Sequence, residues 1–156
     1  MYQDFKDLLS AFRDHNVKYL IVGAYAVSLH AQPRATKDLD LFIKADPVNA
    51  KAAYAALASF GAPLENISAE DLANPSQFFR LGREPVAVDI LPGLDGVEFD
   101  TAWERRVEAV IDEQTGLTAS FISKDDFIAS KLAAGRPQDL ADVDAVRQAT
   151  KSLGKP

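Results

Sequence analysis

Apolar positions along this chain change period several times, and each change predicts an element. Phe5, Leu8, Leu9 and Phe12 fall at helical spacing, so Tyr2–His15 reads as an amphipathic helix that Asn16 stops. The unbroken apolar run Tyr19-Leu20-Ile21-Val22 reads as a buried strand ending at Gly23. From Gly23 to about His30 the residues are small and apolar, a buried helix of roughly two turns. Gln32-Pro33-Arg34-Ala35-Thr36 is a loop, because Pro33 disfavours helix at the preceding residue. Asp38–Ile43 is a second strand, with Asp38 and Asp40 on one face and Leu39 and Leu41 on the other. Pro47 suits the first position of a helix that ends near Phe60, with Gly61 beyond it.

The pattern then becomes irregular. Ala62–Asn74 is polar, with one turn expected near Ser68–Leu72. Phe78–Leu81 and Val86–Leu91 read as a hairpin around Gly82-Arg83-Glu84-Pro85. A loop through Pro92–Gly96 leads to a short helix, Phe99–Arg105, which carries the single Trp103. Two strands follow near Val107–Ile111 and Thr118–Ile122. Ser123 caps a helix through Ala134, with Asp126 at the capping-box position, and Gly135 ends it. Arg136-Pro137 links to a last helix, roughly Gln138–Ser152. With no repeat or linker along the way, residues 1–156 read as a single α/β (α+β) domain. It has a mixed sheet of about five strands, flanking helices and a C-terminal helical hairpin.

Composition narrows the partners more than the fold. A net charge of −6 and a pI near 4.9 argue against general DNA binding and against an anionic membrane surface. RNA at a local basic patch stays open, and Arg80, Arg83, Arg105 and Arg106 are its candidates. The absence of cysteine excludes disulfides, thiolate zinc sites and a cysteine nucleophile, and fits a cytoplasmic protein. The start, MYQDFKDLL, lacks the basic opening and apolar core of a signal peptide. The longest apolar run, Tyr19–Val27, is far short of the roughly 20 residues that span a bilayer.

The candidate chemistry sits around the second strand. Adjacent carboxylates on one strand face repel each other, which favours either protonation or a bound cation. The glycine turn at Gly23, opening a helix, presents backbone N–H groups suited to a phosphate. Asp89 stands alone inside Val86-Ala87-Val88-Asp89-Ile90-Leu91, where a carboxylate has to be paired, hydrogen-bonded or ligated. Its plain reading is a pairing with a neighbouring arginine. Its sharper reading places it beside Asp38 and Asp40 as a third carboxylate, with Arg34, Lys131 and Arg136 neutralising phosphates. Oxygen donors of this kind suit Mg²⁺ or Mn²⁺, and the third carboxylate is then a general base or a further ligand.

Other residues have plainer readings. His15 is a charge at a helix end, and His30 a packing or loop hydrogen-bonding residue. Thr36 is a loop hydrogen-bonder, and Trp103, Phe99 and Tyr25 belong mostly to the core. Asp139 and Asp142, three apart on one helix face, are structural, with Asp139 a candidate to hold Arg136. Lys131 shares the sheet-facing side of its helix with Phe127 and Ile128. Its stem either covers apolar surface while the ammonium reaches water, or its charge points into the cleft. The second option predicts that Lys131→Met leaves stability unchanged and weakens triphosphate binding.

Val22-Gly23-Ala24-Tyr25-Ala26-Val27, followed by Arg34-Ala35-Thr36-Lys37-Asp38-Leu39-Asp40-Leu41, resembles the signature of the polymerase-β-like nucleotidyltransferases. It is most similar to the small bacterial AbiEii-like and MenT-like branch, many of whose members are toxins of toxin–antitoxin systems. The stretch Lys131–Asp142, with Gly135-Arg136-Pro137-Gln138-Asp139, resembles that branch's second block. The resemblance implies a nucleotidyltransferase-like fold and transfer of a nucleoside monophosphate from a nucleoside triphosphate. The acceptor would be an RNA end, a protein side chain or a small molecule, and a cognate toxin or antitoxin protein would be a partner. It implies Asp38, Asp40 and Asp89 as metal ligands and, with Lys131, as catalytic residues. Nucleotide contacts fall to Gly23, Ala24, Arg34, Thr36, Lys131 and Arg136. Ala24 departs from the Gly-Ser or Gly-Gly of many relatives, which keeps backbone donors and removes a side-chain contact. The alternative is a non-catalytic nucleotide-binding module that acts through a protein partner.

Overall fold

The computed structural model describes residues 1–32, 36–83 and 86–153. The described residues form six α-helices and six strands. Helix α1 (Gln3–Asp14) buries Phe5, Leu8, Leu9 and Phe12, the stripe that its spacing predicts. It ends where Asn16 turns the chain with φ 56°, a conformation Asn tolerates better than most side chains. Strand β1 (Tyr19–Val22) is buried along its whole length and runs directly into α2 (Gly23–His30). After β2 (Asp38–Ile43), the Asp46 carboxylate accepts the Asn49 N–H and caps α3 (Pro47–Phe60), which Gly61 closes at φ 95°.

The irregular segment contains only a 3-10 turn, Asp71–Ala73, as expected near Ser68–Leu72. Strands β3 (Phe79–Arg83) and β4 (Val86–Leu91) form the predicted hairpin, and α4 (Phe99–Glu104) follows. A second hairpin, β5 (Val107–Asp112) and β6 (Leu117–Phe121), leads to α5 (Lys124–Ala134) and α6 (Pro137–Leu153). Ser123 caps α5 as predicted: its hydroxyl accepts the Asp126 N–H and donates to the Asp126 carboxylate. No helix among the described residues is long and apolar enough to cross a membrane.

All six strands join one sheet in the order β3-β4-β2-β1-β6-β5, one strand more than the sheet of about five expected. It is mixed: β2 is parallel to β4 and β1 to β6, while the remaining pairs are antiparallel. The two faces carry separate cores. One packs Leu39, Leu41, Ile43, Val88 and Ile90 under α1 and α3. The other packs Leu20, Val22 and Phe42 under α2, α4, α5 and α6. Alternation along β2 therefore sends Asp38 and Asp40 to the second face, together with Phe42. The α5–α6 hairpin that covers part of that face is the C-terminal hairpin expected from the sequence.

Candidate active site

Register decides which acidic side chains meet. Across the parallel β2–β4 ladder Asp40 is the direct partner of Asp89, and Asp38 that of Ala87. Across the antiparallel β3–β4 ladder Arg80 is the partner of Asp89. Arg80, Asp89 and Asp40 thus form a row over three strands on one face, with Asp38 one pleat away on β2. Asp89 satisfies both of its sequence readings: it lies beside Asp40, and it is held by an arginine.

The row is electrostatically unequal. Arg80 donates from Nε to Asp89 Oδ1 at 3.0 Å and from Nη2 to Asp89 Oδ2 at 3.1 Å, a two-pronged grip. The same Nη2 stands 3.7 Å from Asp38 Oδ2. Among the described residues, Asp40 has no such partner. Burial, then the charge of Asp89, a hydrogen bond that its protonated form donates to Asp89, and the charge of Asp38 push its carboxyl up to about 7. Lys131 lies close enough to pull in the opposite direction. Asp38 Oδ1 is buried and accepts no hydrogen bond.

Gly23 explains how β1 and α2 come so near. It adopts φ 69°, and a Cβ built on it would overlap Oδ2 of Asp40 and lie 2.9 Å from its Cγ. The Val22 that precedes α2 gives its first turn no side-chain cap. The first backbone N–H groups of that turn, which begins at Gly23 beside Asp40, therefore have no side-chain acceptor from the cap position. Thr36 braces the entry to β2, its hydroxyl donating to the Asp38 carbonyl at 3.2 Å and accepting the Asp38 N–H at 3.3 Å. Arg34, the remaining predicted nucleotide contact before β2, lies outside the described residues.

The C-terminal hairpin brings a second charge cluster. Lys131 Nζ stands 3.2 Å from Asp139 Oδ1 and 3.3 Å from Asp142 Oδ2, both on buried carboxylates. Arg136 binds Asp139 through its backbone N–H, Nε and Nη2 at 3.1, 2.7 and 3.1 Å. These bonds hold the Asp139 carboxyl well below the usual carboxylate range, the Arg136 side chain contributing most. Asp139 therefore holds Arg136 as expected. Lys131 is pinned between two acids while its field still reaches Asp40, so it is neither a snorkelling surface lysine nor an unengaged cation aimed at the cleft.

The plainer sequence readings also find their places. His30 donates from Nε2 to the Ile122 carbonyl at 2.8 Å. Tyr25 meets Phe5 edge to face, and Trp103 stacks on Phe99. The arginines offered as an RNA patch are engaged elsewhere: Arg105 pairs with Asp126, Arg106 with Glu108 and the Trp103 ring. The side chain of Arg83 lies outside the described residues.

Arg80 is the site residue that sequence reading passed over, treating it only as part of that patch. Its place depends on how far the first strand runs: β3 reaches Arg83, which pairs with Val86, so Arg80 falls opposite Asp89, whereas the predicted turn over Gly82–Pro85 sets it opposite Ala87. Among the described residues, no three acidic or imidazole groups already stand in an ion-binding arrangement. The donor chemistry nevertheless fits a hard divalent ion, since Asp38, Asp40 and Asp89 offer only oxygen and one of those oxygens is buried without a partner.

Two clefts of the described residues lie on opposite faces of the sheet, and neither is lined by a carboxylate of the row. One of about 390 Å³ lies on the carboxylate face, lined by Phe42, Phe99, Pro92, Gly93, Leu94 and Asp95 among others. A larger one of about 550 Å³ lies between α1 and α3 on the opposite face, among Asp4, Asp7 and Asp14. Its acidic walls repel a triphosphate, so its size does not make it the nucleotide site.

Comparison with solved structures supports the fold. The crystal structure of the lincosamide antibiotic adenylyltransferase LnuA, lincomycin-bound, superposes with a TM-score of 0.60 at 16% identity, covering 96% of this chain and 98% of that one. The crystal structure of ANT(2'')-Ia in complex with adenylyl-2''-tobramycin gives 0.57 at 20% identity, over 96% and 87%. An antigenic nucleotidyltransferase-like protein from Paracoccidioides brasiliensis gives 0.52 at 16%, over 95% and 84%. No curated protein sequence matches the chain. Residues 2–150 match the family described as nucleotidyltransferases of unknown function, DUF6036. Over nearly its whole length, the chain therefore belongs to that family of nucleotidyltransferases.

Proposed function

We propose that the protein moves a nucleoside monophosphate from a nucleoside triphosphate to an acceptor hydroxyl with the help of Mg²⁺ or Mn²⁺: the acceptor oxygen bonds to the α-phosphorus as the bond to the α,β-bridging oxygen breaks, and pyrophosphate leaves. The observation that carries this reading is the adjacency of Asp40 and Asp89 in the β2–β4 register, with Asp38 on the same face and its buried Oδ1 without a hydrogen-bond partner among the described residues. Asp38, Asp40 and Asp89 would hold the metal, which when bound supplies charge neutralisation and polarises the phosphoryl oxygens. Gly23 and Ala24 would present backbone N–H groups to the triphosphate, which needs the close approach that the missing Cβ of Gly23 allows. Lys131 would act on this site by its field and by fixing α5 against α6. Arg136, tied to Asp139, would keep that hairpin in place, and Arg34 would supply a phosphate contact. Asp89 would accept the acceptor's proton, and the cleft lined by Phe42, Phe99 and Asp95 on the same face of the sheet would give the acceptor room.

The acceptor would be a small molecule or a protein side chain. The described arginines once offered for RNA are all paired with acids. LnuA and ANT(2'')-Ia, whose structures hold lincomycin and an adenylylated tobramycin, support a hydroxylated small molecule. A toxin's role, suggested by the AbiEii-like and MenT-like resemblance, fits equally with a protein hydroxyl as acceptor. The cysteine-free composition fits a cytoplasmic setting for either.

The test incubates the pure protein with each labelled triphosphate, Mg²⁺ and fractionated lysate, and follows label into small molecules, protein and RNA. Wild type should label a non-nucleic-acid acceptor, and Asp40→Ala should lower that labelling by at least about a thousandfold, as expected for loss of a metal ligand. Equal labelling by both proteins would refute the role of the carboxylates.

A further inference from the structure

Arg80 is the one charged group of the carboxylate row that the transfer reading leaves without a task. It is placed there by two registers at once. Antiparallel pairing sets it opposite Asp89, and parallel pairing sets Asp89 opposite Asp40. Its guanidinium occupies both oxygens of Asp89 at 3.0 and 3.1 Å and reaches to 3.7 Å from Asp38. A cation thus already lies between two of the three carboxylates proposed to hold a metal.

We propose that Arg80 is the resident counter-cation of this cluster: it neutralises Asp89 and Asp38 in the metal-free protein, and a divalent ion binds by displacing it. The inference rests on the reading of Asp38, Asp40 and Asp89 as a metal site.

Three features support exchange over a fixed ion pair. First, the guanidinium leaves Asp38 Oδ1 buried and unsatisfied, and its contact with Asp38 Oδ2, at 3.7 Å, is too long for a hydrogen bond. A planar fork matches one carboxylate at a time, whereas a small ion can take an oxygen from each. Secondly, β3 is the edge of the sheet and the Arg80 side chain is 44% exposed, so it has solvent to move into. Thirdly, arginine keeps its charge at any working pH, so it can leave the cluster only by moving. Competition then works through charge: Arg80 sets a full positive charge beside both oxygens of Asp89, which opposes a second cation there.

A plain structural pair makes the opposite prediction. An arginine that only orients Asp89 would improve metal binding, as partners of metal ligands do, and its loss would weaken affinity.

The experiment is a titration of Mn²⁺ into nucleotide-free, chelator-stripped protein at fixed ionic strength, with free ion followed by electron paramagnetic resonance. Wild type, Arg80→Met, Arg80→Lys and Arg106→Met are compared. Arg80→Met is expected to bind Mn²⁺ about tenfold more tightly or better, because the competing charge is gone. Arg80→Lys keeps the charge and loses the fork, and should fall between the two. Arg106→Met removes the same charge from a residue paired elsewhere and should match wild type. In the metal-free state Arg80→Met should melt below wild type, and Mn²⁺ should raise its melting temperature more.

Affinity in Arg80→Met that is unchanged or weaker, with wild type still binding, overturns the role of Arg80 and leaves the metal site standing. Equal tightening in Arg106→Met traces the effect to overall charge and overturns it as well. If Arg80→Met does not fold, wild-type affinity in Arg80→Lys is the overturning result. Absence of Mn²⁺ binding in wild type overturns the metal site itself and this inference with it.

Discussion

Asp40 and Gly23 form a single structural unit. The turn from β1 to α2 passes so close to Asp40 that no side chain fits at residue 23, and Asp40 is buried beside two other acids as a result. Holding a carboxyl there costs stability unless a cation is present. Asp40→Asn is therefore expected to raise the stability of chelator-treated protein by about 1 kcal/mol or more, since it keeps shape and removes the charge. Thermal melts of both proteins with and without Mn²⁺ check this: the variant should lead in chelator and lose that lead when the ion is added. A variant less stable in chelator would mean that Asp40 is held by interactions stronger than its repulsions. Asp38 and Asp40 were readable in the sequence because strand alternation needs only their spacing. Arg80 was not, because its place depends on the pairing of two strands, which no local pattern states. Arg34 and Thr36 were both named from their motif, and only Thr36 falls where its bonds can be described.

At the scale of elements, the α5–α6 hairpin is held by charge as much as by its apolar face. Asp139 is 1% exposed and Asp142 4%, so each needs its cation. The sequence reading that points Lys131 into the cleft expects Lys131→Met to leave stability unchanged. The hairpin reverses this expectation. Removing Lys131 leaves Asp142 without that ion pair and Asp139 to Arg136 alone, and a buried pair broken on one side costs about 2–4 kcal/mol here. Urea unfolding of Lys131→Met should show that loss, and Lys131→Arg should recover part of it; a loss below about 0.5 kcal/mol would return Lys131 to the solvated class.

A second element-scale case is β1, where Tyr19 is buried and its hydroxyl accepts a long contact from the Ser120 N–H at 3.4 Å. Burial, with the charge of Glu108 adding to it, pushes its pKa up to about 12. The folded pKa lies above the unfolded one, near 10, so the protonated ring's contribution is complete below pH 10 and is lost as pH rises toward 12. Tyr19→Phe cannot ionise. Relative to wild type it should gain about 1 kcal/mol or more between pH 9 and pH 11, read from unfolding at each pH. A constant difference would show that the ring ionises in the fold as easily as in the open chain. Helix and strand bounds on this scale were readable within a residue or two, because caps such as Ser123 and stops such as Gly61 act locally.

For the whole molecule the question is how charge is spread around one sheet with two covered faces. The chain carries −6, and the acidic cleft between α1 and α3 extends that sign to the face opposite the site. Arginines that looked like a patch along the chain are dispersed by the fold. Arg80 lies in the carboxylate row, Arg105 on Asp126, and Arg106 against Glu108 and Trp103, while the side chain of Arg83 lies outside the described residues. Affinity for a nucleic-acid backbone comes from cations that replace its counterions, and a cation already paired with an acid must break that pair first. The composition had pointed the same way, but only the fold distinguishes an acidic protein with a basic groove from one without. A labelled single-stranded RNA at 0.15 M salt is therefore expected to give no saturable anisotropy change with protein up to about 100 μM, weaker than ordinary non-specific binding at ~10⁻⁴–10⁻⁶ M. Micromolar affinity that falls steeply with added salt would show that at least one of these ion pairs opens to RNA. It would also bring an RNA end back as the acceptor for the nucleotide.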